Sequence, residues 1–191
     1  MELAVLIEDL ADAFVAVDAS RSVHKQFQPG IGPFGEADAV RAALTWLKDS
    51  KPDRYKTAAT KRLPDLLIPG QWAVELKIIR PFGDNGLPAE HWSQNVLHPY
   101  AGNTSSLGDC MKLLTSGLAE RKAVVIFGFE HTPAQVPLET AIRGFELLAR
   151  NLLALALSPR QETCRTGLVH AVHQQLRIYG FEVLGSDASG T

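Results

Sequence analysis

The stretch LPDLLIPGQWAVELKII, Leu63 to Ile79, limits the fold more than any other part of the chain. LPDLLI and WAVELKII are rich in Leu, Ile and Val, and Pro69-Gly70 between them is a turn signal, so the two runs predict strands joined as a β-hairpin. Three charges are embedded in it: Asp65, Glu75 and Lys77. Successive strand side chains face opposite sides, so Glu75 and Lys77 share one face while Val74, Leu76 and Ile78 take the other toward a core. A turn centred near Gly70 sets Asp65 almost directly across from Glu75, since 65 and 75 are equidistant from 70; a two-residue turn offsets this by one.

Like charges paired across strands lie roughly 5 Å apart and destabilise a sheet. A partly buried pair therefore needs a raised pKa or a counter-cation, and Lys77 supplies a single positive charge. Side-by-side carboxylates are also the oxygen donors that a hard divalent cation such as Mg²⁺ takes, with the backbone carbonyl of Leu76 as a further candidate ligand. The plain alternative is a turn followed by a solvated strand face carrying a cross-strand ion pair. Glu36 adds weight to the metal reading. It stands at helical spacing with Val40, Leu44 and Leu47, so its carboxylate belongs to the first turn of an apolar, sheet-facing stripe and within reach of the hairpin acids.

The flanking chain predicts an α/β protein. Leu3, Leu6, Leu10, Phe14 and Val17 recur every three or four residues and predict an extra N-terminal helix over about residues 2–19; EADAVRAALTWLKDS predicts a second from Glu36 to about Asp49. Lys48 to Arg62 holds six basic and two acidic residues without helical or strand period and is expected to be an exposed, basic connection. Arg80 to Ser106 is expected to be a long loop of the kind that often carries function. SLGDCMKLLTSGL predicts a helix, KAVVIFGF a buried strand, and LETAIRGFELLARNLLALAL a helix from Leu138 to Leu157 that Pro159 ends. Gly167 to Val183 is ambiguous, although LRIY and GFEVL favour strand. One domain over residues 1–184 with a disordered tail at 185–191 is the expected organisation.

Composition narrows the functional classes. The 191 residues are 46% hydrophobic and 21% charged with a formal net charge of −2, which rules out a globally basic nucleic-acid binder and leaves only local basic patches. Lys56, Lys61 and Arg62 form such a patch directly before Asp65, suited to a polyanion but equally to a solvated loop. No apolar run long enough to span a membrane is present, and the acidic N-terminus is unlike a secretory leader. Cys110 and Cys164 are isolated, so neither a disulfide framework nor a structural zinc site is expected, and a reducing, cytoplasmic setting is.

The order Glu36 on a helix, Pro64-Asp65, nine intervening residues and Glu75-Leu76-Lys77 resembles the PD-(D/E)XK nuclease superfamily, the restriction-endonuclease-like fold. The resemblance covers about residues 36–80, and the later strand, helix and strand are compatible with that family's αβββαβ core: a mixed central sheet flanked by helices, here with an inserted helix near residues 106–118. It implies a Mg²⁺-dependent nuclease, with Mn²⁺ as a substitute, acting on DNA in restriction, repair or recombination. Asp65 and Glu75 would bind the metal, the Leu76 carbonyl would complete the inner shell, and Glu36 would contribute directly or through water. Lys77 would position or help deprotonate the attacking water, or stabilise charge on the phosphate. A homodimer would be needed to cut both strands of a symmetric site. A catalytically silent nucleic-acid-binding or assembly protein with the same fold, and an unrelated α/β binding module, are the competing readings.

Other candidates are weaker. GIGPFG, Gly30 to Gly35, spells GxGxxG, but no buried strand precedes it, so it reads as a loop that aims Glu36. His170 and His173 could share a metal only on a helix, since a strand puts them on opposite faces. Trp46, Trp72, Phe127, Phe129 and Phe145 are expected in the core, whereas Trp92 and Tyr100, with His91, Gln94, Asn95 and His98, could contact bases or backbone.

Overall fold

The computed structural model describes residues 1–24, 28–100 and 104–185; the expected tail lies outside the described residues from 186 onward. Its elements, in order, are α1 (Leu3–Ala19), α2 (Glu36–Ser50), α3 (Pro52–Tyr55), β1 (Leu66–Ile68) and β2 (Trp72–Ile79). There follow α4 (Gln94–Leu97), α5 (Ser106–Thr115), β3 (Arg121–Glu130), α6 (Leu138–Asn151), β4 (Ala156–Leu157), β5 (Gln161–Thr166) and β6 (Gln175–Leu184). Among the described residues the six strands form one open sheet in the order β1-β2-β3-β6-β4, with β5 also pairing β6. The sheet is mixed: β2 and β3 run parallel, and the other pairs are antiparallel.

Strand alternation divides the core in two. Val74, Leu76 and Ile78 of β2, with Val125, Phe127 and Phe129 of β3, pack beneath α1 and α2. Ala73 and Ile79 of β2, with Val124 and Ile126 of β3, face α5 and α6. Helices therefore cover both sides of a mixed α/β sheet, as period-2 apolar strands buried on both faces require. Glu75 and Lys77 fall on the α5 side. Their face is thus not a solvated one: α5 covers it and leaves Lys77 only 8% exposed.

The hairpin has the expected register. Leu66 pairs with Val74 and Ile68 with Trp72, so Asp65 lies one step beyond the last pair, facing Glu75. β1 is five residues shorter than β2, and from Glu75 onward the β1-side edge of β2 has no strand beside it among the described residues. Side chains replace the missing ladder. The Leu76 N–H donates to Asp65 Oδ2 at 2.9 Å and the Ile78 N–H to Glu36 Oε2 at 2.8 Å, as buried backbone donors demand. A strand residue's N–H and C=O point the same way, so the Leu76 carbonyl also faces this edge.

Three expectations need correction, and one strand was not anticipated. The basic connection is not simply exposed. Lys51 pairs with Asp9 at 2.5 Å and Asp12 at 3.0 Å, Arg54 reaches Asp9 at 3.2 Å, and buried Tyr55 donates to Asp9 at 2.8 Å. Half of the basic residues there thus neutralise carboxylates of α1 or lie in α2, and Ala59 bridges to Leu67. The helix from Leu138 stops at Asn151, because the chain turns through Ala154 at φ 51° and then pairs Ala156 with Leu184 of β6. The polar run QETCRT is an unforeseen strand, β5, alternating half-buried and exposed residues. The long loop contains α4 and a Phe82–Pro88 bridge. Both cysteines are free, and no described helix is long and apolar enough to cross a membrane.

Candidate active site

Four carboxylates, Glu36, Asp65, Glu75 and Asp109, line one open cavity of about 350 Å³ together with the cations Arg62, Lys77 and Lys112. All but Asp109 and Lys112 arrive for local reasons. Glu75 and Lys77 stand two residues apart on β2, and Asp65 is fixed beside them by the hairpin register and its bond to Leu76. Glu36 opens α2, directly after Gly35, its N-cap residue, at the end of the GIGPFG loop. Two glycines of that loop serve close packing: a Cβ on Gly30, at φ 110°, would lie 2.7 Å from Asp18 Oδ1, and one on Gly32 would lie 2.5 Å from the His173 side chain. Neither is explained by a bound phosphate.

Asp109 is the residue that the sequence did not single out. It is 2% exposed on α5, above Glu75 and Lys77. Its Oδ1 accepts from Lys112 Nζ at 2.7 Å, and its Oδ2 lies 3.3 Å from Lys77 Nζ, close enough to attract without hydrogen-bond alignment. The only signal available was an acid flanked by Leu107, Cys110 and Leu113, the apolar face of a short helix. Lys77 also approaches Glu36 Oε1 at 3.4 Å, so its ammonium bridges acids from both sides of the sheet.

Electrostatics follow from burial. Desolvation pushes the Glu75 carboxyl up to about 8, reinforced by the charges of Asp65 and Asp109. Asp65 and Glu36 are also raised, chiefly by burial, with the Leu76 N–H and the Lys77 ammonium respectively acting against it. Burial draws the Lys77 value down, but Glu36 and Asp109 outweigh it and the net shift is upward. Neutral Glu75 is therefore favoured in the folded chain at pH 7. From its ordinary value of 4.5 up to about 8 the unfolded state holds fewer protons at this residue. The stability it contributes is present at low pH and is lost as pH rises through that window. In EDTA the Tm of the wild-type chain is expected to fall relative to that of the Glu75→Gln variant between about pH 5 and 8; parallel profiles for the two proteins would contradict the assignment.

Among the described residues no three His, Cys, Asp or Glu side chains converge tightly enough to hold a metal ion as they stand. Lys77 lies between them, and Asp65 and Glu36 each cap a backbone N–H. The donor chemistry nevertheless suits a hard cation: all four acids offer oxygen, and Glu75 Oε1 and Asp109 Oδ2 are buried with no hydrogen-bond partner among the described residues.

The basic candidates separate. Arg62 lines the main cavity, Lys61 lines an adjoining one of about 150 Å³ that shares Glu36 and Asp65, and Lys56 is exposed outside both. His170 and His173 are buried in an irregular segment, their rings stacked at 4.6 Å, with His173 Nε2 2.9 Å from Asp84 Oδ1. Burial holds both imidazoles below their usual value, His173 at about 4. The His173 side chain packs against Gly32, and neither histidine lines the carboxylate cavity. Trp72, Phe127, Phe129 and Phe145 are core, Trp46 and Trp92 are partly buried, and Tyr100 is exposed. Comparison with family models, with curated proteins and with solved structures gives no match.

Proposed function

We propose that this chain is a Mg²⁺-dependent nuclease of PD-(D/E)XK type that hydrolyses phosphodiester bonds in DNA. The observation that carries the reading is the meeting of Glu36, Asp65, Glu75 and Lys77 around a single open cavity. The succession α2-β1-β2-β3-α6-β6 supports a restriction-endonuclease-like core, with α5 as an insertion and α1 as an addition.

Asp65 and Glu75 would hold Mg²⁺ or Mn²⁺, with the Leu76 carbonyl and Glu36 as further oxygen donors. A divalent ion there supplies charge neutralisation for the phosphate and lowers the pKa of water. The protein's own groups do the rest. Lys77, anchored by Glu36 and Asp109, holds an ammonium where charge develops on the phosphate, in a partly desolvated setting that strengthens its effect. Arg62 and Lys112 give an otherwise acidic cavity a positive rim for a polyanion. One centre per chain makes a homodimer the means of cutting both strands.

A silent nucleic-acid-binding protein is the second reading, favoured by the prior engagement of Glu36 and Asp65 with backbone N–H groups. Supercoiled plasmid separates the two. The chain is expected to nick it in Mg²⁺, to leave it intact in EDTA, and to lose activity as Asp65→Asn. Identical gels in all three mixtures would remove the nuclease reading, and a metal-free gel shift would then select the silent binder.

A further inference from the structure

Beside the carboxylate cavity lies a larger one of about 430 Å³ that the proposed chemistry does not use. The two share Asn95, and Gly35 and Ile78 of the second cavity adjoin Glu36 and Lys77 of the first. Aromatic surface comes from Trp92 and Phe82, the latter braced edge-on by His131 at 4.7 Å. Polar groups stand among these rings. Arg80 is pinned to the Gly32 carbonyl, and Asp84 is fixed by His173 at 2.9 Å. Glu90, at an exposed position, and Asn95 also line the cavity.

Flat apolar walls with a few fixed donors and acceptors, in a volume within the usual range of roughly 300–1,000 Å³, describe a small-molecule site. Charge decides which. Asp84 and Glu90 offset the Arg80 guanidinium, and the His24 imidazole that also lines the cavity lies 3.6 Å from Asp38, so the cavity has no surplus of positive charge for a second phosphate and favours a neutral group that donates hydrogen bonds. We infer that this cavity takes one unstacked nucleobase bearing an amino group, next to the scissile phosphate: the base lies against Trp92 and its amino group is accepted by Glu90 or Asp84. A carboxylate accepts from the exocyclic amino group of cytosine, whereas the one donor on the exposed edge of thymine, N3–H, sits between two carbonyl oxygens that repel the carboxylate. The inference rests on the nuclease reading for the phosphate beside it, and it gives the substrate a definite class: single-stranded DNA, or duplex with an unpaired base. A stacked, fully paired duplex does not offer such an edge without extrusion of the base.

The test uses anisotropy of labelled dC8 and dT8 in EDTA, where no cleavage confuses binding. The wild-type chain is expected to bind dC8 more tightly than dT8. Loss of the stacking surface in Trp92→Ala should weaken dC8 binding roughly tenfold. Trp92 also packs partly against the core, so Glu90→Gln, at an exposed position, provides the second variant and should narrow the dC8 preference. Equal affinities for dC8 and dT8 in the wild type, or dC8 binding unchanged in both variants, would overturn the inference. Plasmid nicking reports separately: if nicking survives while dC8 shows no preference, the base pocket falls and the nuclease stands. If nicking fails while the dC8 preference and its variant effects hold, the pocket stands and the nuclease falls.

Discussion

Lys77→Ala is expected to lower Mg²⁺-dependent DNA cleavage by about 10²–10⁴-fold, the range seen when a positioned proton-transfer or charge-stabilising group is removed. Two effects combine. The ammonium that the nuclease reading sets near the phosphate disappears, and Glu36, Asp65 and Glu75 lose the cation that favours their ionised forms. The three acids then hold protons more strongly at neutral pH, which weakens metal binding as well as chemistry. Raising the pH is therefore expected to recover part of the metal affinity of the variant but little of its turnover. Lys77→Arg keeps the charge, yet a forked guanidinium does not fit the two oxygens that hold Nζ, and it is expected to rescue poorly. Single-turnover cleavage across pH, with circular dichroism to show that the variants fold, decides the matter; cleavage within threefold of wild type, a margin of about 0.7 kcal/mol, would deny Lys77 a catalytic role.

Trp72→Ala is expected to destabilise the chain by about 3–5 kcal/mol, the usual result of truncating a buried aromatic. The ring is fully buried at the start of β2, its Nε1–H donates to the Met1 carbonyl at 3.0 Å, and the Arg121 guanidinium stacks 4.1 Å from its centre. Truncation leaves a cavity under α1 and loosens the pairing of Trp72 with Ile68 that sets the hairpin register. Trp72→Phe retains most of the apolar contact and should cost distinctly less. Urea unfolding of the three proteins gives the comparison, and a loss below about 1 kcal/mol for the alanine variant would show that the site had collapsed around the gap.

The hairpin was legible because its information is local. Alternation, a turn dipeptide and equal spacing about Gly70 brought Asp65 to Glu75 without reference to the rest of the chain. Glu36 was legible for a similar reason, since helical spacing alone put it on the sheet-facing stripe. Asp109 was not. Its role depends on α5 lying across β2, a contact between elements that no local pattern encodes. The same holds for the basic stretch: nothing near Lys51 and Arg54 announces that Asp9, some forty residues earlier, awaits them. β5 escaped notice because an outer strand with alternately exposed residues needs little apolar character. The end of α6 was misplaced because the leucines after Asn151 continue a helical pattern while the chain itself turns to join β6.

The short β1 leaves half of one edge of β2 without a neighbouring strand among the described residues, and two acids close that gap by holding the Leu76 and Ile78 amides. An open strand edge is the template on which a foreign chain adds itself, and charge placed along it is the common defence against aggregation. Asp65 and Glu36 thus act as gatekeepers as well as candidate ligands. A lineage that abandoned the chemistry would still have reason to keep both carboxylates, so their persistence in an inactive descendant would testify to solubility and not to catalysis.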